Sequence, residues 1–384
     1  MPRTLVFDHD PGTEGQIRTA LSGYTARGRH DFVFARSDDE AVELIRSSPE
    51  PDIAVIDIDS PDSVGLKLFR ALGETRIRIP RIALTTGDDI ATVRRAMNEG
   101  AADFLTKPVN VEDLLQTIDR VYTTCEARRR AWRSEADLAA LKREIDIAGE
   151  LQQKVLPQAF PRTGGLDLFG RMRPAREMGG DFYDAFELED GRIAMVVADV
   201  VGKGISAAFF MAVASTVLRG AAAHAGGPGA CLAAANRQIL RRQIPGMVVS
   251  AFCAVLDPRS WTLTCANAGH PLPYVVRGRD RIEPIACAAG VVLGVEEASD
   301  YPDSTTNIAG GELVLCYTDG LTEARDPGRE EFGDGRVRAF LAEHAGFGSE
   351  MIVRGLERRV REHVGDGTPF DDLTLLAVRK GAAD

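Results

Sequence analysis

Hydrophobic and polar positions alternate regularly along the first third of the chain. Short apolar runs are separated by amphipathic stretches of helical periodicity. Continuous apolar runs indicate strands buried on both faces, and their alternation with helices is typical of a parallel sheet covered on both sides. We therefore predict a doubly wound α/β domain with a five-stranded parallel sheet over residues 1–122. The apolar runs are 5–7, 32–34, 53–56, 82–84 and 104–105, and the helical stretches lie near 14–25, 38–47, 64–72, 89–98 and 110–122.

Residues 123–159 show a different pattern, in which apolar or small side chains recur at alternating spacings of four and three. This is the spacing of a heptad seam, so we predict a long helical, coiled-coil-like linker that continues the last helix of the first domain. Pro157 and Pro161 would end it. A single amphipathic helix that packs on its own domain also fits the pattern. The seam positions are Ala127, Ala131, Ser134, Leu138, Leu141, Ile145, Ala148, Gln152 and Val155.

The remaining residues, 160–384, combine short apolar or alternating runs with a few longer helical stretches. Strands that pair as hairpins beside long helices favour a layered α+β domain. The predicted strands are 192–198, 248–256, 261–266, 272–277, 312–317 and 373–379, and the predicted helices are 205–223, 229–241 and 349–363.

The amino-acid composition excludes several classes of protein. The net charge of −11 disfavours binding to nucleic acid or to an anionic membrane, which are held by Lys and Arg. We see no apolar run of the roughly 18–20 residues that a membrane span needs, and no signal-peptide core near the N-terminus. The six cysteines form no CxxC pair, so we expect them to be reduced. We expect a cytoplasmic protein that acts through protein partners, without a nucleic acid or a membrane.

A first group of chemical side chains lies where the predicted parallel strands end. Because these ends meet at one edge of a doubly wound sheet, we expect the group to share a site. Its carboxylates can hold a divalent cation, and its lysine and hydroxyl can neutralise an added phosphoryl group. The group predicts a site for phosphorylation of an aspartate. Its members are Asp8, His9, Asp10, Asp57, Thr85 and Lys107.

In this order the group resembles the receiver domain of two-component response regulators, over about residues 1–122. The resemblance implies that Asp57 accepts the phosphoryl group, and that Thr85 and Phe104 are the switch residues. It also implies that Asp8 belongs to a Mg²⁺ pocket and that Lys107, followed by a proline, contacts the phosphoryl group. An upstream sensor histidine kinase or phosphotransfer protein is the implied partner.

One position departs from the receiver pattern. The family usually has a second carboxylate where this chain has His9, and a neutral imidazole is a poorer Mg²⁺ ligand. Asp10 is a substitute only if the strand continues that far. A receiver that no longer accepts phosphate and serves as a docking module therefore stays an alternative. Asp57 and Asp59 also match the DxD pattern of haloacid-type phosphatases, but that motif belongs on a first strand.

A second group consists of four aspartates that are far apart in the larger domain. Each has a glycine or a second aspartate within three residues, and three adjoin a predicted strand. Carboxylates at strand ends are costly to bury unless they meet a cation. Together they predict a pocket for two divalent metal ions, which can activate water and clamp a phosphoryl group. The four are Asp181, Asp199, Asp319 and Asp371.

These motifs resemble the metal-dependent protein phosphatase family, in its bacterial branch of stress-response and sporulation serine phosphatases. The resemblance covers about residues 145–384, and its motifs occur in order: GGDFYD, ADVVGKGISAA, ANAGHPLPYVV, YTDGLTEA and DDLTLL. It implies two antiparallel sheets packed face to face and flanked by helices, with two Mn²⁺ or Mg²⁺ ions. It implies that Asp199 bridges the ions, that the Val200 carbonyl is a further ligand, and that Asp181, Asp319 and Asp371 complete the shell.

Neighbours of the four aspartates have two interpretations each. Asp184 and Asp372 are either supports for the metal ligands or surface residues. Lys203 is either a phosphate contact or a solvated lysine in a turn, and His270 is either a general acid or a residue that orders a turn. The GGDF sequence is also close to a nucleotide-cyclase signature, but the following motifs do not belong to that class.

The two halves together predict a response regulator whose output is a protein serine/threonine phosphatase. By resemblance, the expected substrate is a phosphoserine on an anti-sigma-factor antagonist, within a partner-switching pathway. The linker predicts a homodimer that transmits the receiver's state. The rival hypothesis is a non-catalytic, phosphatase-like adapter that binds a sigma factor or its antagonist under receiver control.

Overall fold

The computed structural model describes residues 2–381, except 26–29, 47–48, 60–63, 75–78, 88–89, 164, 243 and 245. The chain divides into two compact units, Met1–Ala140 and Leu141–Asp384, which we call the N-terminal and the C-terminal unit. The division falls inside one helix. The sequence-based limits of 1–122, 123–159 and 160–384 thus remain predictions about domain organisation.

The N-terminal unit is a parallel sheet of strand order β2-β1-β3-β4-β5 with helices between its strands. Along β1, Leu5 and Phe7 pack in one apolar cluster whereas Val6 packs in the cluster on the opposite face. Both faces of the sheet are therefore buried, which confirms the doubly wound α/β prediction. The elements are β1 (Arg3–Phe7), α1 (Pro11–Thr25), β2 (Asp31–Ala35), α2 (Asp38–Arg46), β3 (Ile53–Asp57), α3 (Val64–Glu74), β4 (Arg81–Thr85), α4 (Ile90–Asn98) and β5 (Asp103–Thr106).

Helix α5 runs without interruption from Val111 to Gln153, over 43 residues. It contains the last receiver helix and most of the predicted linker. Leu138 and Leu141 are 67% and 54% exposed, as an unpaired seam would be. Gln152 is only 5% exposed, because it is inserted into the C-terminal unit. The seam prediction is therefore wrong for Gln152, and Val155 lies beyond the end of the helix.

The C-terminal unit contains two mainly antiparallel sheets, of order β13-β10-β9-β8-β7 and β12-β11-β15-β16-β6, with β14 added at β10. Its helices α6 and α7 contact the first sheet, and α9 contacts the second. The elements are β6 (Leu166–Arg173), β7 (Phe182–Glu187), β8 (Ile193–Val200), α6 (Ile205–His224), α7 (Pro228–Arg241), β9 (Val249–Asp257), β10 (Thr262–Ala268), β11 (Tyr274–Val276), β12 (Ile282–Pro284), β13 (Ala289–Gly290), β14 (Ser304–Asn307), β15 (Leu313–Tyr317), a 3-10 turn (Asp319–Leu321), α8 (Gly333–Glu343), α9 (Ser349–Val364) and β16 (Leu373–Lys380).

Strand β15 shows how the layers are held together. Val314 and Cys316 belong to the apolar cluster shared with the first sheet, whereas Leu313 and Leu315 belong to the cluster shared with α8 and α9. Successive side chains of a strand point to opposite faces, so a continuously apolar strand packs against the other sheet and against helices at once. The result is a β-sandwich flanked by helices, as the resemblance implied.

Helix α6 contradicts the expectation that no apolar stretch of the chain is long enough to span a membrane. Ile205–His224 is long and apolar enough to cross a membrane, by length and composition alone. Half of its most apolar window is buried inside the C-terminal unit, and the helix packs on α7 and β8. This is the pattern of a core helix, whose hydrophobicity is explained by packing on both sides.

Candidate active site

The four predicted metal aspartates reach one edge of the β-sandwich from both sheets. Asp181 directly precedes β7, and Asp199 lies near the end of β8, the antiparallel neighbour of β7. Asp319 follows β15, and Asp371 precedes β16, which is the antiparallel neighbour of β15. Antiparallel pairing places the end of one strand beside the start of the next, so each sheet contributes two acids. The sequence spacing of the four gave no hint of this symmetry.

Asp181 links the two sheets directly. Its carboxylate accepts a hydrogen bond of 2.6 Å from the hydroxyl of Thr318, which follows β15. Asp181 is 2% exposed. Burial and the charges of Asp199 and Asp372 raise the pKa of the Asp181 carboxyl well above its ordinary value, and the Thr318 hydrogen bond works against this shift. The fold thus holds an acid where its negative charge is poorly compensated.

Glycines shape the backbone around Asp199 and Val200. Gly202 and Gly204 have φ values of 117° and 81°, which allow the chain to turn from β8 into α6. A Cβ atom on Gly180 would lie 2.7 Å from the carbonyl oxygen of Val200. The Val200 carbonyl therefore faces a space that only glycine leaves open, beside the carboxylate of Asp199. A carbonyl oxygen and a carboxylate are suitable ligands for a hard divalent cation.

Lys203 compensates part of the acidic charge. Its ammonium nitrogen lies 2.9 Å from a carboxylate oxygen of Asp371 and donates a 2.6 Å hydrogen bond to the carbonyl of Phe370. The same nitrogen lies 4.5 Å from the centre of the Phe370 ring. Lys203 is therefore part of the rim of the acidic site, and it is both a partly solvated lysine in a turn and a partner of Asp371.

The negative charge of the aspartates that Lys203 does not compensate favours the binding of a cation. Burial raises the pKa of Asp199 to about 6, to which the carboxylates of Asp319 and Asp371 contribute. Burial and Asp371 also raise the pKa of Asp319. Among the described residues, no three His, Cys, Asp or Glu side chains are arranged to hold one ion by themselves. The carboxylates of this group, together with the Val200 carbonyl and water, are a ligand set that fits Mg²⁺ or Mn²⁺.

Asp372 supports the site instead of facing a metal position. Its carboxylate accepts hydrogen bonds of 2.7 Å from the backbone N–H groups of Ala175 and Gly180. A Cβ atom on Gly179 would lie 2.4 Å from the same carboxylate. Asp372 therefore fixes the loop that carries Asp181, which agrees with its interpretation as a support.

The end of helix α5 fixes the same loop from the other side. The side-chain amide of Gln152 donates a 2.6 Å hydrogen bond to the carbonyl of Gly179, and its oxygen accepts one of 3.1 Å from the N–H of Gly179. A Cβ atom on Gly149 would lie 2.4 Å from the carbonyl of Glu177. Sequence reasoning assigned Gln152 to the seam and so missed this contact.

Two other candidate residues take structural roles. The imidazole of His270 lies 2.8 Å from the hydroxyl of Ser250, and the side chain of Asn267 bonds the His270 backbone at both N–H and C=O. Burial lowers the pKa of His270 to about 3. These contacts support the interpretation of His270 as a residue that orders a turn. Asp184 pairs with Arg219 of α6 at 2.6 Å, so it stabilises helix packing.

The N-terminal unit contains the predicted receiver pocket at the ends of its strands. The Lys107 ammonium lies 2.9 Å from the carboxylate of Asp8 and 3.2 Å from that of Asp57. Burial, and then the nearby Asp8, raise the pKa of Asp57 despite the lysine. Burial disfavours the Lys107 charge, but the two carboxylates raise its pKa overall. The structure thus brings together the proposed phosphoryl acceptor, one further acid and a cation.

The switch hydroxyl has a partner that sequence reasoning did not foresee. Thr85 donates to the carboxylate of Asp59, with oxygen–oxygen distances of 2.9 Å and 3.1 Å. Thr86 also donates to Asp59 from its N–H and its hydroxyl. Asp59 is therefore engaged in holding the loop after β4, not placed as the acid of a DxD phosphatase. The predicted switch aromatic, Phe104, is 42% exposed on β5.

His9 and Asp10 do not restore the missing acid. The ring of His9 packs edge-on against Phe7, with ring centres 5.1 Å apart. The Asp10 carboxylate accepts a 2.9 Å hydrogen bond from the N–H of Gly12 and one of 3.2 Å from the hydroxyl of Thr13. It is engaged at the start of α1, which disfavours it as the substitute Mg²⁺ ligand.

These two sites define a receiver joined to a metal-dependent phosphatase fold, and comparison with known proteins agrees. Residues 189–381 match the stage II sporulation protein E (SpoIIE) family, and residues 5–119 match the response regulator receiver domain. The SpoIIE match covers half of the chain, so the protein belongs to this family. The chain combines a receiver domain with a domain of this family.

Two curated relatives extend over much of the chain. Protein IcfG of Synechocystis sp. is 28% identical over 262 residues, which are 61% of this chain and 41% of IcfG. Phosphoserine phosphatase RsbU of Bacillus subtilis is 26% identical over 274 residues, which are 70% of this chain and 81% of RsbU. The chain thus spans less than half of IcfG but most of RsbU.

The fold also has a counterpart among solved structures. The SiaA-PP2C domain of Pseudomonas aeruginosa superposes with a TM-score of 0.57 at 23% identity, covering 64% of this chain and 98% of that domain. This similarity concerns the fold alone. It agrees with the sandwich described above.

Proposed function

We propose that this protein is a metal-dependent phosphoserine phosphatase controlled by its receiver domain. The observation that carries the proposal is the convergence of Asp181, Asp199, Asp319 and Asp371 from two sheets at one edge of the sandwich. Burial and mutual repulsion raise the pKa of three of these acids, and bound cations would relieve this repulsion. RsbU, which shares most of its length with this chain, is named a phosphoserine phosphatase.

Two Mn²⁺ or Mg²⁺ ions fit the donor groups, and the carboxylates of Asp181, Asp199, Asp319 and Asp371 and the Val200 carbonyl would hold them. When bound, such ions supply an activated water and charge compensation for the phosphoryl group. The chain's own residues position the ligands. Thr318 orients the carboxylate of Asp181, and Asp372 holds its loop. Lys203, 2.9 Å from Asp371, adds a positive charge at the rim where the phosphate would enter.

Substitution of Asp199 tests this proposal. Asp199→Ala removes the bridging carboxylate, so Mn²⁺-dependent hydrolysis of p-nitrophenyl phosphate should fall by roughly three orders of magnitude or more. Asp190→Ala is a matched control, because Asp190 is an exposed turn aspartate paired with Arg192. An Asp199→Ala activity within about tenfold of the wild type would contradict the metal-site assignment. Wild-type protein without metal-dependent activity would favour the adapter hypothesis.

The finer parts of the proposal concern substrate and control. We propose that the substrate is a phosphorylated anti-sigma-factor antagonist and that a sensor histidine kinase or phosphotransfer protein phosphorylates Asp57 with Mg²⁺ in the receiver pocket. The Lys107 contacts to Asp57 and Asp8 support the receiver part. We propose that the protein acts in the cytoplasm as a homodimer through helix α5, whose exposed Leu138 and Leu141 are available for pairing.

A further inference from the structure

A small cavity adjoins the acidic site in the C-terminal unit. It has a volume of about 290 Å³, and Gly320 and Asp371 of the acidic site form part of its wall. Small-molecule pockets usually occupy about 300–1,000 Å³, so this cavity suits one side chain better than a nucleotide or a cofactor. An extended chain advances by about 3.3–3.6 Å per residue. A peptide with its phosphoserine at the metal site would thus place a nearby side chain here.

Charged side chains line the rim of this cavity, whereas a packing defect in a hydrophobic core would be lined by apolar side chains. Arg173 of β6 and Arg361 of α9 line it, and their side chains are 50% and 69% exposed. Both guanidinium groups contact Glu357, at 2.7 Å and 3.1 Å, and Arg171 adds a third contact at 3.2 Å. Three guanidinium groups therefore share one carboxylate, which is 8% exposed. The cluster carries a surplus of positive charge in a chain whose net charge is −11.

The arginines retain hydrogen-bonding capacity. A guanidinium has five N–H donors. In the part of the chain that the structure describes, Arg173 uses its Nε and Arg361 its Nη2 in the contacts with Glu357. The rest of the lining is partly apolar and includes Val360, Val364 and Leu373. A carboxylate on a short methylene stem matches both surfaces, because the stem can contact the apolar wall while the carboxylate meets a guanidinium.

We propose that this cavity is a specificity subsite for an acidic side chain, Asp or Glu, located one or two residues from the phosphoserine of the substrate protein. The inference rests on the proposed phosphatase function and adds a sequence requirement to it. Two further cations lie beside the cavity, since Lys203 and Arg325 lie 4.5 Å and 4.4 Å from the centre of the Phe370 ring, and they are paired with Asp371 and Glu331 respectively. Phe370 itself lines the cavity.

Phosphoserine peptides test the subsite. Peptides that are identical except for Glu or Gln at one of the two positions on either side of the phosphoserine are compared by kcat/KM with Mn²⁺. At one position the wild-type protein should prefer Glu by about tenfold, the range of a hydrogen bond between charged groups. Arg361→Gln should remove most of this preference, and Arg361→Glu should reverse it in favour of a Lys peptide.

The choice of variants keeps the test specific. Arg361 is 69% exposed, and its loss leaves Glu357 paired with Arg171 and Arg173, so the fold should survive. Arg358→Gln is the matched control, because Arg358 lies on the same helix, has the same 69% exposure and pairs with Glu362 outside the cavity. This control should keep the Glu preference. All variants should hydrolyse p-nitrophenyl phosphate at the wild-type rate, since this compound has no flanking residue.

Distinct results would overturn the subsite and the phosphatase function. Two results would refute the subsite but leave the proposed phosphatase function standing. In the first, p-nitrophenyl phosphate is hydrolysed but no peptide position shows a Glu preference. In the second, Arg361→Gln leaves the Glu preference intact. An equal loss on peptides and p-nitrophenyl phosphate in Arg361→Gln would assign the arginine to the fold and also refute the subsite. Absence of metal-dependent hydrolysis in the wild-type protein would refute the phosphatase, and the subsite with it.

Discussion

At the scale of single residues, Asp199 has opposite effects on activity and on stability. Its pKa in the folded protein, about 6, exceeds the ordinary 3.8, because burial disfavours the charged form. Between these values the folded protein binds more protons than the unfolded chain, so the unfolding free energy of the metal-free protein decreases as pH rises through that window. The folded state thus loses stability at neutral pH because the proposed metal ligand Asp199 is ionised there.

Asp199→Asn should therefore inactivate the enzyme and stabilise its metal-free form. The gain at about pH 7.5 should be on the order of 2 kcal/mol, and it should disappear at about pH 3 or below, where the wild-type carboxyl is largely protonated in both the folded and the unfolded state. Urea unfolding in EDTA at the two pH values measures the difference. Saturating Mn²⁺ should reverse the order of stability, because only the wild-type site binds it well. Equal stabilities at both pH values would contradict the assigned electrostatics.

His9 should limit the affinity of the receiver pocket for Mg²⁺. Its imidazole stands where a carboxylate would supply a hard anionic ligand, and Asp10 is engaged at the start of α1. His9→Asp should lower the Kd for Mg²⁺ by about tenfold, measured by titration calorimetry. In the wild-type protein, Mg²⁺-dependent binding of beryllofluoride should be detectable and should disappear in Asp57→Ala. A wild-type protein that binds no beryllofluoride at saturating Mg²⁺ would favour the receiver as a docking module.

At the scale of elements, helix α5 should be the dimerisation element. Leu138 and Leu141 are exposed apolar seam positions, and an apolar seam favours helix pairing. The double substitution Leu138→Glu and Leu141→Glu should convert the dimer to a monomer, measured by light scattering. Ala136→Glu with Ala139→Glu is the control, because these exposed positions lie outside the seam and receive the same charge. Dimers in both double variants would exclude the seam as the contact.

At the scale of the whole molecule, the receiver and the phosphatase should respond to each other through this helix. Beryllofluoride should change the phosphatase rate of the wild-type protein. A ligand that mimics the phosphoryl group shifts a receiver between two conformations whose free energies differ by only a few kcal/mol. The Leu138→Glu and Leu141→Glu variant should keep its basal rate, since the metal ligands are elsewhere, and lose the response. Rate measurements with and without beryllofluoride decide this, and a response that survives in the monomer would require another route.

The sequence predicted the order of elements better than their contacts. Periodicity identified all strands of the receiver and the long strands β8, β9, β10, β15 and β16, because buried strands are continuously apolar. It missed β6 and β7, which contain charged residues among the apolar ones, and short edge strands such as β13, which contains only Ala289 and Gly290. Motifs predicted the four aspartates that converge at the edge of the sandwich, but not the roles of Thr318, Asp59 and Gln152. A polar residue that binds backbone or another side chain carries no periodic signal, so only the fold reveals its partner.

The position of Gln152 has a practical consequence for dividing the protein. A fragment that starts at residue 160, the sequence-based limit of the phosphatase domain, would lack the amide that holds Gly179 at both its N–H and its C=O. It would also lack the close packing of Gly149 on Glu177. The two backbone groups of Gly179 are buried, so leaving them unpaired costs roughly 1–3 kcal/mol each. In such a fragment the loop beside Asp181 would be less firmly held, so its measured activity would differ from that of the intact protein. A fragment that keeps these contacts has to begin upstream, within the helix at Leu141.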